Sequence, residues 1–282
     1  MDSRIPKMIH YCWFGRNPLP PLAKKCIASW RKFCPDYEIV EWNEDNFDLD
    51  CCDFIREAYD LKKWAFVSDA ARLFIILDQG GVYLDTDVEL IAPLDSILES
   101  NAFFYGIETH TNVKKHTRTA MVATGLGFGA EKGNETVRAM LEEYTSIHFK
   151  EAFAEDVTPC PEKNSRALER FGFDRKNKMY RFAGGTVYPG EYFCPKEHMT
   201  GVEHFTKNTV SIHHYCGSWV THRVRYWMQL NEKYSGYLPA SVSHYLASYV
   251  SYNVFYGLIK GHWRLFKMLC SKVAKRLSLK KK

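Results

Sequence analysis

The sequence has no Cys-x-x-Cys pair, and its nine cysteines are odd in number and scattered. That excludes a zinc ribbon and a regular disulfide framework, and it predicts free, buried thiols in a reducing compartment. No apolar run reaches the ~18 to 20 residues that a membrane-spanning helix needs. The opening residues MDSRIPK carry no secretory apolar region, so the expected location is the cytoplasm. A Walker-type glycine loop is also missing, which removes one common route to phosphoryl transfer. Acidic residues are absent from 260–282, where nine Lys and Arg side chains stand together. The whole chain carries only +5, so the remainder is net acidic. The basic character therefore belongs to this one end. It argues for a local anionic contact and against a nucleic-acid-binding surface.

Aromatic residues are plentiful instead, at 15%. They can fill a core, stack on sugars or bases, or sit in a membrane interface, and composition alone does not choose. The patterning is more informative. Residues 8–14 (MIHYCWF) read as a buried first strand, stopped by Gly15, Pro18, Pro20 and Pro21. Residues 22–33 have helical spacing, and 37–42 alternate as a strand. Strand, helix, strand in that order predicts an α/β unit with parallel pairing. Residues 61–77 form the clearest helix, closed by Gly80-Gly81. Residues 82–84 then form a short strand that delivers Asp85 and Asp87 to its C-terminal end, where ligands gather in open α/β sheets. Further strands are expected at 103–107, 126–129, 187–193 and 210–215. Helices are expected from Asn134 to about 147, near 165–171, and at 219–233. Residues 242–282 differ in kind: aromatic and aliphatic side chains give way to interleaved Lys and Arg, as in a helix lying in a membrane interface. The expected organisation is a domain over 1–240 and a basic amphipathic helical segment over 241–282.

Several residue sets could carry chemistry. Asp85 and Asp87 can both face one hard cation, leaving room for phosphate oxygens as further ligands. Taken alone, two solvated loop acids are the commoner meaning of such a pair. Asp69 and Arg72 lie one helical turn apart in FVSDAARL, among small residues that point to close packing rather than to a surface ion pair. In IHHYCGSW, His213 or His214 can offer a nitrogen ligand, Gly217 allows close backbone approach, and Trp219 can donate its indole N–H. An ordinary core histidine beside a helix capped by Ser218 is an equal alternative. Trp13 and Phe14 could stack on a nucleobase or simply fill the core. The basic stretch His110, Lys114, Lys115, His116 and Arg118 could meet an anionic acceptor or be a solvated loop.

Three segments, IPKMIHYCWFG at 5–15, FVSDAARLFIILDQGGVYLDTDVELIAPLD at 66–95 and IHHYCGSW at 212–219, together resemble the DXD sugar-binding glycosyltransferases of family 32. That family includes bacterial capsule and lipopolysaccharide transferases and fungal Golgi mannosyltransferases. The resemblance implies a GT-A fold: a single Rossmann-like nucleotide-binding domain with a mixed sheet. It also implies Mn²⁺ or Mg²⁺ and a nucleotide-diphosphosugar donor, with a UDP-sugar favoured over a GDP-sugar. By carry-over, Asp85 and Asp87 hold the metal, Asp69, Arg72 and Asp85 hold and orient the donor sugar and phosphates, and Trp13, Phe14 and Gly15 line the base. Ser218 and Trp219 lie near the diphosphate. The third metal ligand is expected to be His214, by likeness to the HxxGxxKPW segment of family 8 transferases. His213 and Ser218 are the alternatives, because the Lys-Pro-Trp is absent here.

The expected function is a retaining transferase that moves a hexose or N-acetylhexosamine to a glycan or lipid-linked acceptor in surface polysaccharide synthesis. It would work at the inner face of the cell membrane, held peripherally to anionic lipid by 242–282. The competing readings are a nucleotidyltransferase and a catalytically silent carbohydrate- or partner-binding protein on the same scaffold.

Overall fold

The protein is described by a computed structural model that covers residues 4–112, 117–149, 159–182, 184–196, 203–216, 222–238 and 240–257. It divides into two compact units, Met1–Cys216 and Gly217–Lys282.

The first unit begins with β1 (Met8–Cys12), α1 (Pro21–Phe33) and β2 (Glu38–Trp42), and β1 and β2 pair in parallel. Pro21 starts α1, where a missing N–H leaves no bond unmade. The expected helix at 61–77 is α3 (Trp64–Gln79), and it is preceded by a helix that was not expected, α2 (Asp53–Asp60). Lys62, at φ 56°, marks the break between them. After α3 come β3 (Gly81–Tyr83), β4 (Val88–Leu90), α4 (Asp95–Glu99), β5 (Phe103–Asn112) and β6 (Thr117–Val122). The stretch read as a strand at 126–129 is a 3-10 turn, Thr124–Leu126, followed by β7 (Phe128–Ala130). Then come α5 (Glu135–Thr145), α6 (Cys160–Glu169), β8 (Tyr180–Phe182), β9 (Gly185–Tyr188) and β10 (Ser211–His213). Asn134 caps α5 as expected, its side chain accepting from the Thr136 N–H at 3.0 Å.

The main sheet runs β2-β1-β3-β7-β5-β9-β8, with β6 paired to β5. It is mixed: β1 lies parallel to β2 and β3, β7 lies antiparallel to β3 and β5, and β9 lies parallel to β5. The fold class is therefore α/β with a mixed central sheet, as the sequence predicts. Alternation along the strands feeds two cores. Tyr83, Phe103 and Tyr105 join Phe54, Val67, Leu73 and Met140 on one side, while Ile9, Val82 and Phe104 join Cys26, Trp30 and Leu98 on the other. Helices on both faces are what a largely buried sheet requires.

A second, two-stranded sheet pairs β10 antiparallel to β4, with His213 opposite Val88. This small sheet brings the IHH segment to the end of the DTD loop. The cysteines among the described residues are all free.

The second unit contains α7 (His222–Ser235) and α8 (Ala240–Tyr256). The two pack on each other, and the Trp227 indole N–H donates to Ser248 Oγ at 3.1 Å. Among the described residues, no helix is long and apolar enough to cross a membrane. The basic run at 260–282 lies outside the described residues.

Candidate metal and donor site

The site begins with a sharp reversal. Gly80 (φ 70°) and Gly81 (φ 97°) both take the left-handed region, which turns the end of α3 into β3. Space is as tight as conformation: a Cβ on Gly80 would stand 2.9 Å from the Lys132 nitrogen, and one on Gly81 2.9 Å from His10 Nε2. The reversal lays β3 beside β1 and directs Asp85 back toward the buried face of α3.

Arg72 waits on that face, 3% exposed. Its Nη2 lies 2.8 Å from Asp69 Oδ1 and 3.2 Å from Asp85 Oδ1. Nε donates to the Ser68 carbonyl at 3.0 Å, and Nη1 donates to Thr124 Oγ1 at 3.3 Å. The guanidinium also sits over the Tyr83 ring at 4.9 Å, and the Tyr83 hydroxyl donates to Asp85 Oδ1 at 3.2 Å. This is the planar, multidentate use for which Arg and Lys are not interchangeable. Burial raises the Asp69 carboxyl to about 6 against the opposing pull of Arg72. The Asp85 carboxyl is likewise raised by burial, with Arg72 opposing and Asp87 adding to the rise.

Asp87 is held on both oxygens. The Cys216 N–H donates to Oδ2 at 2.8 Å, and His213 Nε2 lies 3.2 Å from Oδ1. Burial alone would raise this carboxyl, but His213 and the backbone N–H outweigh it and bring it down to about 2. His213 itself is lowered by burial and raised further by Asp87, so its net shift is upward. The Tyr215 ring stands edge-on to His213 at 4.3 Å. Asp85, Asp87 and His213 each offer a ligand atom, and these atoms lie within 4.8 Å of one another.

The expectation of His214 as third ligand does not match this geometry. His214 Nε2 lies 2.8 Å from Glu89 Oε2, and Lys25 Nζ reaches the same oxygen at 2.8 Å. The cause is strand periodicity. His213 and Val88 are partners across the β10–β4 ladder, so the neighbouring side chains His214 and Glu89 turn to the other side together. His214 keeps contact with the loop only through its backbone N–H, which donates to the Asp87 carbonyl at 2.9 Å.

The base-binding candidates separate. Phe14 is buried and packs edge-on against Phe47 at 5.9 Å, so it is a core residue here. Trp13 is half-buried, with its indole N–H donated to the Asn17 carbonyl. Gly15 (φ 94°) lies against the Trp64 indole, where a Cβ would come within 2.7 Å, and its N–H donates to Glu44 Oε1 at 2.6 Å. Gly217, Ser218 and Trp219 lie outside the described residues, as do the side chains of the basic stretch His110 to Arg118.

Four residues that sequence reasoning passed over complete the site. Thr124 accepts from Arg72 and, at 3.1 Å, from Asn164 Nδ2 on α6. Cys160 Sγ lies 3.4 Å from the same hydroxyl. Asn164 Oδ1 is buried with no hydrogen-bond partner. Gly125 packs directly on Asp85: a Cβ there would overlap Oδ2 and stand 3.2 Å from Arg72 Nη1. None of these positions has a motif around it. The signal available was Thr-Gly-Leu-Gly at 124–127, a turn chemistry that overlaps the strand expected at 126–129.

A buried arginine holding two carboxylates, with a third carboxylate and an imidazole beside them, is an arrangement that could hold a metal ion. The comparisons with known proteins narrow it. Residues 20–104, a segment that contains Asp69, Arg72, Asp85 and Asp87, match the family described as "Glycosyltransferase sugar-binding region containing DXD motif". Among curated proteins, the chain is similar to "Inositol phosphoceramide mannosyltransferase 1" of Schizosaccharomyces pombe, 29% identical over 36% of this chain and 34% of that protein. It is also similar to "Subversion of eukaryotic traffic protein A" of Legionella pneumophila, 29% identical over 33% of this chain and 18% of that protein. The chain thus spans about a third or less of the length of the curated relatives it matches. Among solved structures, "PaToxG Glycosyltransferase" aligns with 59% of this chain and 69% of that one, at 16% identity and a TM-score of 0.45.

Proposed function

We propose that the protein is a metal-dependent GT-A glycosyltransferase acting on a nucleotide-diphosphosugar. The observation that carries this reading is the Asp85–Asp87–His213 cluster set against the Arg72–Asp69 pair. The donor set fits the metal: two carboxylates supply hard oxygens for Mn²⁺ or Mg²⁺, and the imidazole favours Mn²⁺. His213 Nδ1, buried and without a partner, adds ligand capacity beyond the nitrogen that faces Asp87. When bound, the metal would neutralise charge developing on the diphosphate leaving group.

The chain's own residues do the rest. Asp87 and His213 fix the cation side, while Arg72 holds Asp85 and Asp69 in place as acceptors for donor sugar hydroxyls. Such pre-set geometry lowers the barrier by fixing the reacting groups before reaction. Trp13 is the candidate stacking surface for the base. With no side-chain nucleophile assigned, the reading is a retaining, front-face displacement in which the leaving phosphate takes the acceptor proton. The transferred sugar would be a hexose or N-acetylhexosamine, from UDP in preference to GDP. The acceptor would be a glycan or a lipid-linked sugar in surface polysaccharide synthesis, and the mannosyltransferase relatives support a hexose and a lipid-linked acceptor. The basic run at 260–282 supports a peripheral contact with anionic lipid at the inner face of the cell membrane.

The test is a thermal-shift panel of UDP- and GDP-sugars with Mn²⁺ present and absent, followed by product analysis. Metal-dependent stabilisation and release of a nucleoside diphosphate are expected. Release of pyrophosphate would favour a nucleotidyltransferase, and binding without turnover would favour a silent carbohydrate-binding protein.

A further inference from the structure

Residues 234–259 contain no Asp, Glu, Lys or Arg, 26 positions in a chain where a quarter of all residues are charged. Such a stretch usually marks a buried element, yet α8, which lies within it, carries its larger apolar side chains outward. Val242 and Tyr245 are exposed, while the small residues Ser243, Ala247 and Ser251 are buried. The pattern inverts the ordinary surface helix, in which the apolar stripe turns inward and the polar face meets water. Small residues at the contact and large apolar ones outside are what helices show when their surroundings are lipid.

Exposed apolar side chains stand at both ends of α8, Val254 and Phe255 at its close and a larger group at its start. Tyr237, 87% exposed, and Leu238 occupy the turn between α7 and α8, and Val242 and Tyr245 continue from it along the first turns of α8. The packing that holds the turn is internal to the pair: Trp227 on α7 donates to Ser248 and stands edge-on to His244 at 5.2 Å. A tip made of two tyrosines, a leucine and a valine matches the composition of interfacial anchors, where Tyr sits at the headgroup level and aliphatic side chains reach the acyl boundary.

We propose that the α7–α8 tip inserts Tyr237, Leu238, Val242 and Tyr245 into the interface of an anionic lipid bilayer. The occupant is chosen by charge complementarity. The uncharged stretch runs directly into nine cations with no acid among them at 260–282, so a surface that takes both the apolar tip and the basic run must be apolar beneath and negative on top. This inference rests on the membrane reading above and sharpens it. Contact is made by buried apolar area as well as by charge, and a two-signal attachment of this kind outlasts either signal alone.

The test is flotation of the full chain with phosphatidylcholine vesicles, with and without phosphatidylserine, at low and high salt. The expected result is binding to the phosphatidylserine vesicles that persists in part at high salt, where screening removes purely ionic attachment. The charge-neutral triple variant Leu238→Ser, Val242→Ser, Tyr245→Ser should partition at least about tenfold more weakly, with helical circular dichroism unchanged. If the triple variant unfolds α8, Leu238→Ser alone, in the turn outside both helices, should still weaken flotation about threefold. Wild-type behaviour of the folded variants, together with complete release by salt, would overturn insertion and leave ionic attachment through the basic run standing. No flotation of the wild type with any vesicle would overturn both.

Discussion

Gly125 lies against Asp85 with no room between them, so that any side chain at 125 would displace the carboxylate from Arg72. The glycine is there for its missing Cβ rather than for its backbone angles. Gly125→Ala should therefore keep the fold, because the turn itself is ordinary, and move Asp85 by the width of a methyl group. A shift of about 1 Å at a positioning residue costs on the order of a hundredfold in turnover. Steady-state rates against an unchanged melting curve check this. A variant with wild-type rates would remove Asp85 from the reacting geometry.

His213 and His214 give a sharper contrast because they are adjacent. His213→Ala should weaken metal-stimulated donor binding at least about a hundredfold, since one of the three clustered ligands is lost. His214→Ala breaks only a contact with Glu89, which Lys25 already neutralises. Its effect should stay within about fivefold, the range of a partly exposed ion pair. Manganese titration followed by donor thermal shift separates the two. The reverse ranking would show that the β10–β4 ladder sits one residue out of register in the working protein.

That pair also shows where the sequence stopped being legible. The α/β class, the Gly80-Gly81 reversal, the Asn134 cap and the pairing of Asp69 with Arg72 all follow from local spacing and turn chemistry. The choice between two adjacent histidines depends on strand register against β4, a partner more than a hundred residues away, and a one-residue slip exchanges the faces. Thr124 and Asn164 were invisible for a related reason. Thr124 is an ordinary polar residue until α3 brings Arg72 to it, and Asn164 is one until α6 brings it to Thr124. Phe14 had the right chemistry for a stacking platform and was claimed by the core, because Phe47 fills the space in front of it.

Arg72→Lys tests whether the buried guanidinium is a fork or merely a charge. Lysine would keep the positive charge but could not serve Asp69, Asp85, Ser68 and Thr124 at once. The unmade hydrogen bonds should cost about 1–3 kcal/mol of stability. Loss of the fixed Asp85 should lower turnover by on the order of a hundredfold. Denaturant unfolding and initial rates report the two effects separately. A variant that loses stability but keeps its rate would confine Arg72 to a structural role.

His10 offers a prediction about pH that is independent of the site's chemistry. Its ring is buried under the reversal: the Trp42 indole N–H donates to Nδ1 at 3.1 Å, which leaves the proton on Nε2 to be donated to the Gly80 carbonyl at 3.0 Å. Protonation would put a second hydrogen on Nδ1, facing the Trp42 N–H. Burial lowers the pKa from 6.5 to about 4, with the Gly80 contact opposing. Above pH 6.5 the ring is neutral in both the folded and the unfolded chain and contributes no pH dependence. Between 6.5 and 4 the unfolded chain binds the proton first, so stability falls as pH falls, by up to about 3 kcal/mol in total. His10→Asn can still accept from Trp42, but it cannot titrate. The difference in unfolding free energy between variant and wild type should therefore shift in favour of the variant across this window and level off below pH 4. A difference that stays flat from pH 7 to 4 would show that His10 is charged, or its ring solvated, in the folded protein.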